Sequence, residues 1–221
     1  MIVIFGKTRV GEKRGEQLLS LKEKVDPKHA AVIIVDVQND FCHSEGGFGK
    51  RKRDLTMIQE SVKTLADLVT EARNHDVPVV FVRTIHGPWT NSDTWIERFK
   101  DVSIEEVPMC VGDSWGADFY VVQPQPGDPV VVKHRYSGFY CTDLDVILRA
   151  RGIKTLIMAG VATNVCVETT ARDGYMRDYH IVFVDDCCGT VSKEDHEATL
   201  RNIRNHFGIV VKAAEVKAAW A

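Results

Sequence analysis

This sequence is most informative at first through what it lacks. It has no excess of positive charge: charged residues make up 27 % of 221 and the formal net charge is −3. That leaves no electrostatic footprint for nucleic acid. No apolar run approaches the roughly 20 residues of a membrane-spanning helix. The longest, such as AAVIIVDV (30–37) and DPVVVK (128–133), are strand-sized. The opening MIVIFGKTRVGEKRG has five apolar residues before charges begin, which reads as no secretory signal. There is no CxxC pair among the six cysteines (Cys42, Cys110, Cys141, Cys166, Cys187, Cys188), and a chain of this size needs no disulfide staples. The expectation is a cytoplasmic protein with reduced thiols and neither nucleic acid nor a membrane as partner. Repeats, low-complexity segments and a second domain are also missing. The basic run GKRKRD (49–54) reads as a solvated loop.

What is present is a rhythm of short apolar runs and helical stripes. Residues 32–37, 78–84, 128–134, 155–160, 180–187 and 209–213 are rich in Val and Ile and nearly continuous, the pattern of strands covered on both faces. Between them, Ile58, Val62, Leu65, Val69 and Ala72 form one apolar helical stripe. Thr142, with Asp145 three residues on, reads as a variant capping box, Gly152 as that helix's stop, and Ser192 as the start of a helix over 193–207. This alternation predicts an α/β fold: a doubly wound parallel sheet with helices on both faces. Residues 29–221 form a single domain, and residues 1–28 an extension of one edge strand and a helix. The long, aromatic, turn-rich segment 86–127 breaks the rhythm, as lids and binding loops do.

Open α/β sheets bind ligands beyond the carboxyl ends of their strands. Asp36 ends the first predicted strand, Lys133 ends the third, and Cys166 follows TLIMAG at the entry to a helix. Each has an ordinary reading: Asp36 as a cap, Lys133 as a solvated strand end, Cys166 as core filling. Together they also fit one chemistry. A helix N-terminus and a nearby cation lower a thiol's pKa, and a carboxylate can take its proton and return it to a leaving amine. His134 points away from Lys133 by strand alternation. His86 stands between a substrate contact and a structural role.

The motifs DVQNDF (36–41), KHRYSGF (133–139) and GVATNVCVETTARDG (160–174), in this order, resemble the isochorismatase-like cysteine hydrolases over about residues 26–212. The resemblance implies a six-stranded parallel sheet of Rossmann-like order and a catalytic triad on Asp36, Lys133 and Cys166. It also implies a cis peptide between Val161 and Ala162, an oxyanion hole from the backbone N–H groups of Ala162 and Cys166, and a homodimer or homotetramer. TIHGPWTNSDTW lacks the second histidine of the nicotinamidases' metal cluster, so no metal or cofactor is expected. PQPGDPVVVKHRYSGFYCTDLDVILRARGI resembles the ureidoacrylate amidohydrolases.

The implied activity is cleavage of a C–N bond in a small ureido or amide substrate through a thioester on Cys166. Gln38 and Asn39 are expected to orient substrate or water. Arg135 and Tyr136 would bind a carboxylate, with an internal salt bridge as the alternative for Arg135. Trp89, Asn91 and Trp95 are lid candidates, the alternative being loop packing. Vinyl ether hydrolysis and a non-catalytic binding module are the rival functions. Asp185, Asp186, Cys187 and Cys188 are assigned structural roles.

Overall fold

The computed structural model describes residue 18 and residues 20–97 and 109–221. Six strands, β1 (Ala30–Val35), β2 (Val79–Thr84), β3 (Val130–Lys133), β4 (Thr155–Val161), β5 (His180–Gly189) and β6 (Gly208–Val211), form one sheet. Its order is β3-β2-β1-β4-β5-β6 and every pairing is parallel. The helices are α1 (Leu21–Lys24), α2 (Asn39–Cys42), α3 (Gly47–Lys50), α4 (Thr56–Asn74), α5 (Asp93–Glu97), α6 (Leu144–Ala150), α7 (Glu168–Tyr175), α8 (Lys193–Asn202) and α9 (Ala213–Trp220). The chain winds outward from β1 to β3, then returns to β4 on the other side of β1. The crevice between β1 and β4 is therefore the topological switch point, where such sheets bind ligands.

Alternation along β1 divides the core. Val32 and Ile34 face one layer with the stripe of α4 and with α9, while Ala31, Ile33 and Val35 face another with α6, α7 and α8. Every residue of β1 and β4 is buried, as parallel strands under two helical layers must be. The five stripe residues of α4 are all buried, and the four larger ones, Ile58, Val62, Leu65 and Val69, each contribute roughly 1.5–3 kcal/mol of burial.

Edge strand β3 departs from the two-face expectation. Val130 and Val132 are 41 % and 38 % exposed while Val131 and Lys133 are buried, because the second face of this edge strand is left uncovered. The capping box expected at α6 does not form either. The Thr142 hydroxyl is bonded to the Gly138 carbonyl, and Asp145 turns to Arg149 and Tyr179, 3.0 Å from each. Gly152 does end that helix, at φ +67°. Ser192 caps α8 by accepting from Asp195 N at 3.2 Å.

Residues 20–28 pack on the domain through buried Val25, whose carbonyl accepts from Trp220 Nε1 at 2.8 Å. The rest of the extension, with its expected edge strand, lies outside the described residues, as does 98–108 of the long loop. No helix among the described residues is long and apolar enough to cross a membrane.

Candidate active site

Three loops meet at the switch point. Gly160 pairs with Val35 at φ +121°, and a Cβ there would lie 2.1 Å from the Val35 carbonyl oxygen. Only glycine lets β4 approach β1 this closely. Beyond it, the Val161–Ala162 peptide is cis, and Thr163–Val167 form a π-helical turn leading into α7. Cys166 sits on that turn, its carbonyl accepting from Thr170 Oγ1 at 2.7 Å. Asp36, one residue past β1, has φ +52°, a left-handed conformation that aspartate tolerates better than most residues.

Lys133 joins the three. Its Nζ lies 2.7 Å from Asp36 Oδ2, 3.4 Å from Cys166 Sγ and 3.1 Å from the Arg135 carbonyl oxygen. An ammonium has three N–H bonds, and here it has three acceptors around it. Burial works against the charged form of Lys133, but the Asp36 carboxylate beside it prevails and its pKa is raised. Burial also raises the pKa of Asp36, against the pull of Lys133.

The thiol departs from the sequence expectation of a lowered pKa. Burial and the negative charge of Asp36 outweigh Lys133, and the Cys166 pKa is pushed up to about 12. At rest the site holds a thiol beside a carboxylate–ammonium pair.

The cluster opens into a cavity of about 390 Å³ lined by Lys133, Ala162, Val165 and Cys166, with Phe41, Phe48, Trp95 and Val111 among its apolar walls. Asn91 and Tyr136 also line it. Four expected substrate contacts do not. Gln38 is fully buried and spends its amide on the scaffold: Nε2 donates to the carbonyls of Thr84 (3.0 Å) and Ala117 (2.8 Å), and Oε1 accepts from Thr84 N (2.9 Å). Asn39 donates to the Trp115 carbonyl at 2.8 Å. Arg135 braces the loop by donating to the Thr90 and His134 carbonyls at 2.9 and 2.6 Å, with its guanidinium 5.0 Å from the Trp95 ring. Trp89 is fully exposed and lies outside the cavity.

His86 does line the cavity, its ring 5.1 Å from that of Trp95. The His134 ring turns to the Ile85 carbonyl, 2.7 Å from Nδ1. Asp185, Asp186, Cys187 and Cys188 stay clear of it: Asp185 pairs with His196 (2.9 Å) and Lys212 (2.5 Å), and Asp186 accepts from Ala213 N at 2.8 Å. Among the described residues no group of three His, Cys, Asp or Glu side chains is placed to hold a metal ion.

Several lining residues were missed from sequence, the apolar Phe41, Phe48 and Val111 and the charged Arg51 among them. Arg51, at the end of α3, belongs to the run read as a solvated loop, yet it forms part of the cavity wall. The available signal was the long connection leaving the central strand at the ligand-binding edge, between β1 and α4.

A carboxyl, an amine and a thiol lie together under a cavity at the carboxyl edge of a doubly wound parallel sheet, an arrangement shared by a class of cysteine hydrolases with this fold. Residues 30–215 match the model of the isochorismatase domain. The chain belongs to the isochorismatase family.

It is 34 % identical over 210 residues to ureidoacrylate amidohydrolase RutB of Methylobacterium radiotolerans, covering 88 % of this chain and 81 % of that one. With the protein of the same name from Methylorubrum extorquens it shares 35 % identity, covering 88 % and 84 %. Among solved structures, a cysteine hydrolase from Pseudomonas syringae pv. phaseolicola superposes with a TM-score of 0.78 at 29 % identity, covering 93 % of this chain and 95 % of that one. The N-carbamoylsarcosine amidase of Thermoplasma acidophilum superposes with a TM-score of 0.69 at 28 % identity, covering 84 % and 96 %.

Proposed function

We propose that this protein hydrolyses a C–N bond of a small ureido or carbamoyl substrate through a thioester on Cys166. The observation that carries the reading is the position of Lys133 Nζ, 2.7 Å from Asp36 and 3.4 Å from Cys166, at the floor of a cavity. Similarity to ureidoacrylate amidohydrolases and to an N-carbamoylsarcosine amidase supports a ureido or carbamoyl substrate.

In this mechanism Sγ attacks the substrate carbonyl while its proton passes to Asp36. The N–H groups of Ala162 and Cys166 receive the oxyanion. Collapse breaks the C–N bond, and the amine leaves with the proton from Asp36. Asp36 then takes a proton from water as the hydroxyl adds to the thioester, and the thiol departs with that proton. Lys133 holds the carboxylate and the sulfur in register and offsets their negative charge.

The test is mass spectrometry of enzyme quenched during turnover of a ureido acid. An acyl adduct on Cys166, and on none of the other five cysteines, is expected. Near-normal turnover by Cys166→Ala would overturn the mechanism and favour the vinyl ether reading.

A further inference from the structure

The acyl-transfer mechanism makes no use of a buried polar chain that runs behind the cysteine turn. His196, on α8, is 6 % exposed and has both ring nitrogens engaged: Nε2 lies 2.9 Å from Asp185 Oδ1, and Nδ1 lies 3.0 Å from Thr163 Oγ1. The hydrogen bond with His196 is the first cause holding Asp185 ionised, its pKa lowered to about 2. A carboxylate only accepts, so Nε2–H donates to it, and in the neutral ring Nδ1 is left to accept from the Thr163 hydroxyl. Thr163 is fully buried and opens the turn Thr163–Val167. Ala162, just before it, and Cys166, on the turn, both line the cavity, whereas Thr163, Asp185 and His196 do not.

Two features of the fold deliver this contact. Between Met158 and Gly160 of β4, the paired residues of β5 advance from Phe183 to Cys188, a break in register. Bulges of this kind re-aim side chains, often beside active sites. This one carries Asp185 to His196 and Asp186 to Ala213 N. Helix α8 then grips the turn a second time, for Thr199 donates to Glu168 Oε2 at 2.6 Å. Residues three apart share a helix face, so His196 and Thr199 together reach Thr163 and Glu168, one on each side of Cys166. An oxyanion hole works only where its donors are fixed before the charge forms, and a misplacement of about 1 Å can cost about a hundredfold in rate.

We propose that His196, aimed by Asp185, is a positioning residue: through the Thr163 hydroxyl it fixes the turn that presents the Ala162 and Cys166 N–H groups to the substrate's oxyanion. The assignment rests on the amidase reading above and adds to it a residue that never touches the substrate.

The test uses the full chain with ureidoacrylate and N-carbamoylsarcosine as substrates. Thr163→Val removes the hydroxyl and keeps the shape. It should lower kcat and kcat/KM together, by about tenfold to a hundredfold, with KM nearly unchanged. Thr163→Ser should restore most of the rate. His196→Ala should lose as much as Thr163→Val, and the double variant no more than either, because both substitutions break one contact. His196→Asn, which keeps a polar atom at the δ position facing Thr163, should recover part of the loss and replaces His196→Ala if that variant does not fold. Iodoacetamide alkylates a thiol without forming an oxyanion, so labelling of Cys166 should stay within about twofold in each variant while turnover falls. Turnover by Thr163→Val within about twofold of wild type, or equal losses in turnover and labelling, would overturn the positioning role and leave the amidase reading intact. Refusal of both substrates by the wild-type enzyme, with no adduct on Cys166, would overturn both.

Discussion

Lys133 and Asp36 pair across an intervening strand. Their strands, β3 and β1, are separated by β2, and two strand spacings are about 9.6 Å. The lysine stem spans that gap over the end of β2 and places Nζ 2.7 Å from Asp36 Oδ2, with both side chains 1 % exposed. A shorter cation could not reach, and a second acidic group is not needed, because the Cys166 sulfur and the Arg135 carbonyl complete the shell.

That pairing makes thiol reactivity and turnover separable. The Cys166 pKa is pushed up to about 12 by burial and by Asp36, so alkylation by iodoacetamide should be slow at neutral pH and still rising near pH 10, by about tenfold per unit. Asp36→Asn removes a charge that raises the thiol pKa. It should speed alkylation of Cys166 at a given pH while abolishing turnover, because the proton acceptor is gone. Lys133→Met should slow both. Peptide mapping separates Cys166 from the exposed Cys141, which should react first in every variant.

Gln38 should behave as a structural residue. Gln38→Ala leaves the carbonyls of Thr84 and Ala117 and the N–H of Thr84 without their partner in a buried site. A loss of about 2–3 kcal/mol in urea unfolding is expected, with KM of the remaining folded enzyme little changed. A large rise in KM at unchanged stability would restore Gln38 to the substrate.

Gly160→Ala tests the closeness of β1 and β4. Its Cβ would sit 2.1 Å from the Val35 carbonyl oxygen at a φ of +121°. Destabilisation of about 3 kcal/mol or more is expected, or failure to fold, measured by urea denaturation. A neutral effect would mean that the two strand ends can part without cost.

Acid should loosen the support behind the cysteine turn. The Asp185 pKa is lowered to about 2, first by its hydrogen bond with His196 and then, against burial, by Lys212. The other His196 nitrogen lies 3.0 Å from Thr163 Oγ1, on the turn that carries Cys166. A carboxylate with a depressed folded pKa contributes stability above its unfolded value of 3.8, and that contribution fades as pH falls toward 2. Urea midpoints measured across this window should drop with pH, and Asp185→Asn should flatten the drop.

Most of the architecture was legible in the chain, because it follows from local patterns. Val- and Ile-rich runs separated by amphipathic stripes can satisfy their backbone and bury their side chains only as a parallel sheet between helical layers. The carboxyl ends of those strands are where Asp36, Lys133 and Cys166 were found in sequence, and there the structure brings them together. The edge position of β3 was hidden, since Val130–Val132 has the composition of a central strand and strand order is a long-range property.

The use of each polar group beside the triad was decided by tertiary structure alone. Gln38, Asn39 and Arg135 lie next to catalytic candidates in sequence, yet carbonyls of Thr84, Trp115 and Thr90 claim their donors. Arg51, read as solvated, lines the cavity wall, and Asn91 retains an unpaired oxygen. Sequence supplies the donors and acceptors, but which of them are satisfied within the chain depends on what folding brings within 3 Å. The thiol's pKa is set the same way: burial and a neighbouring carboxylate, neither of them visible in the spacing of residues, outweigh the cation and keep Cys166 protonated at rest.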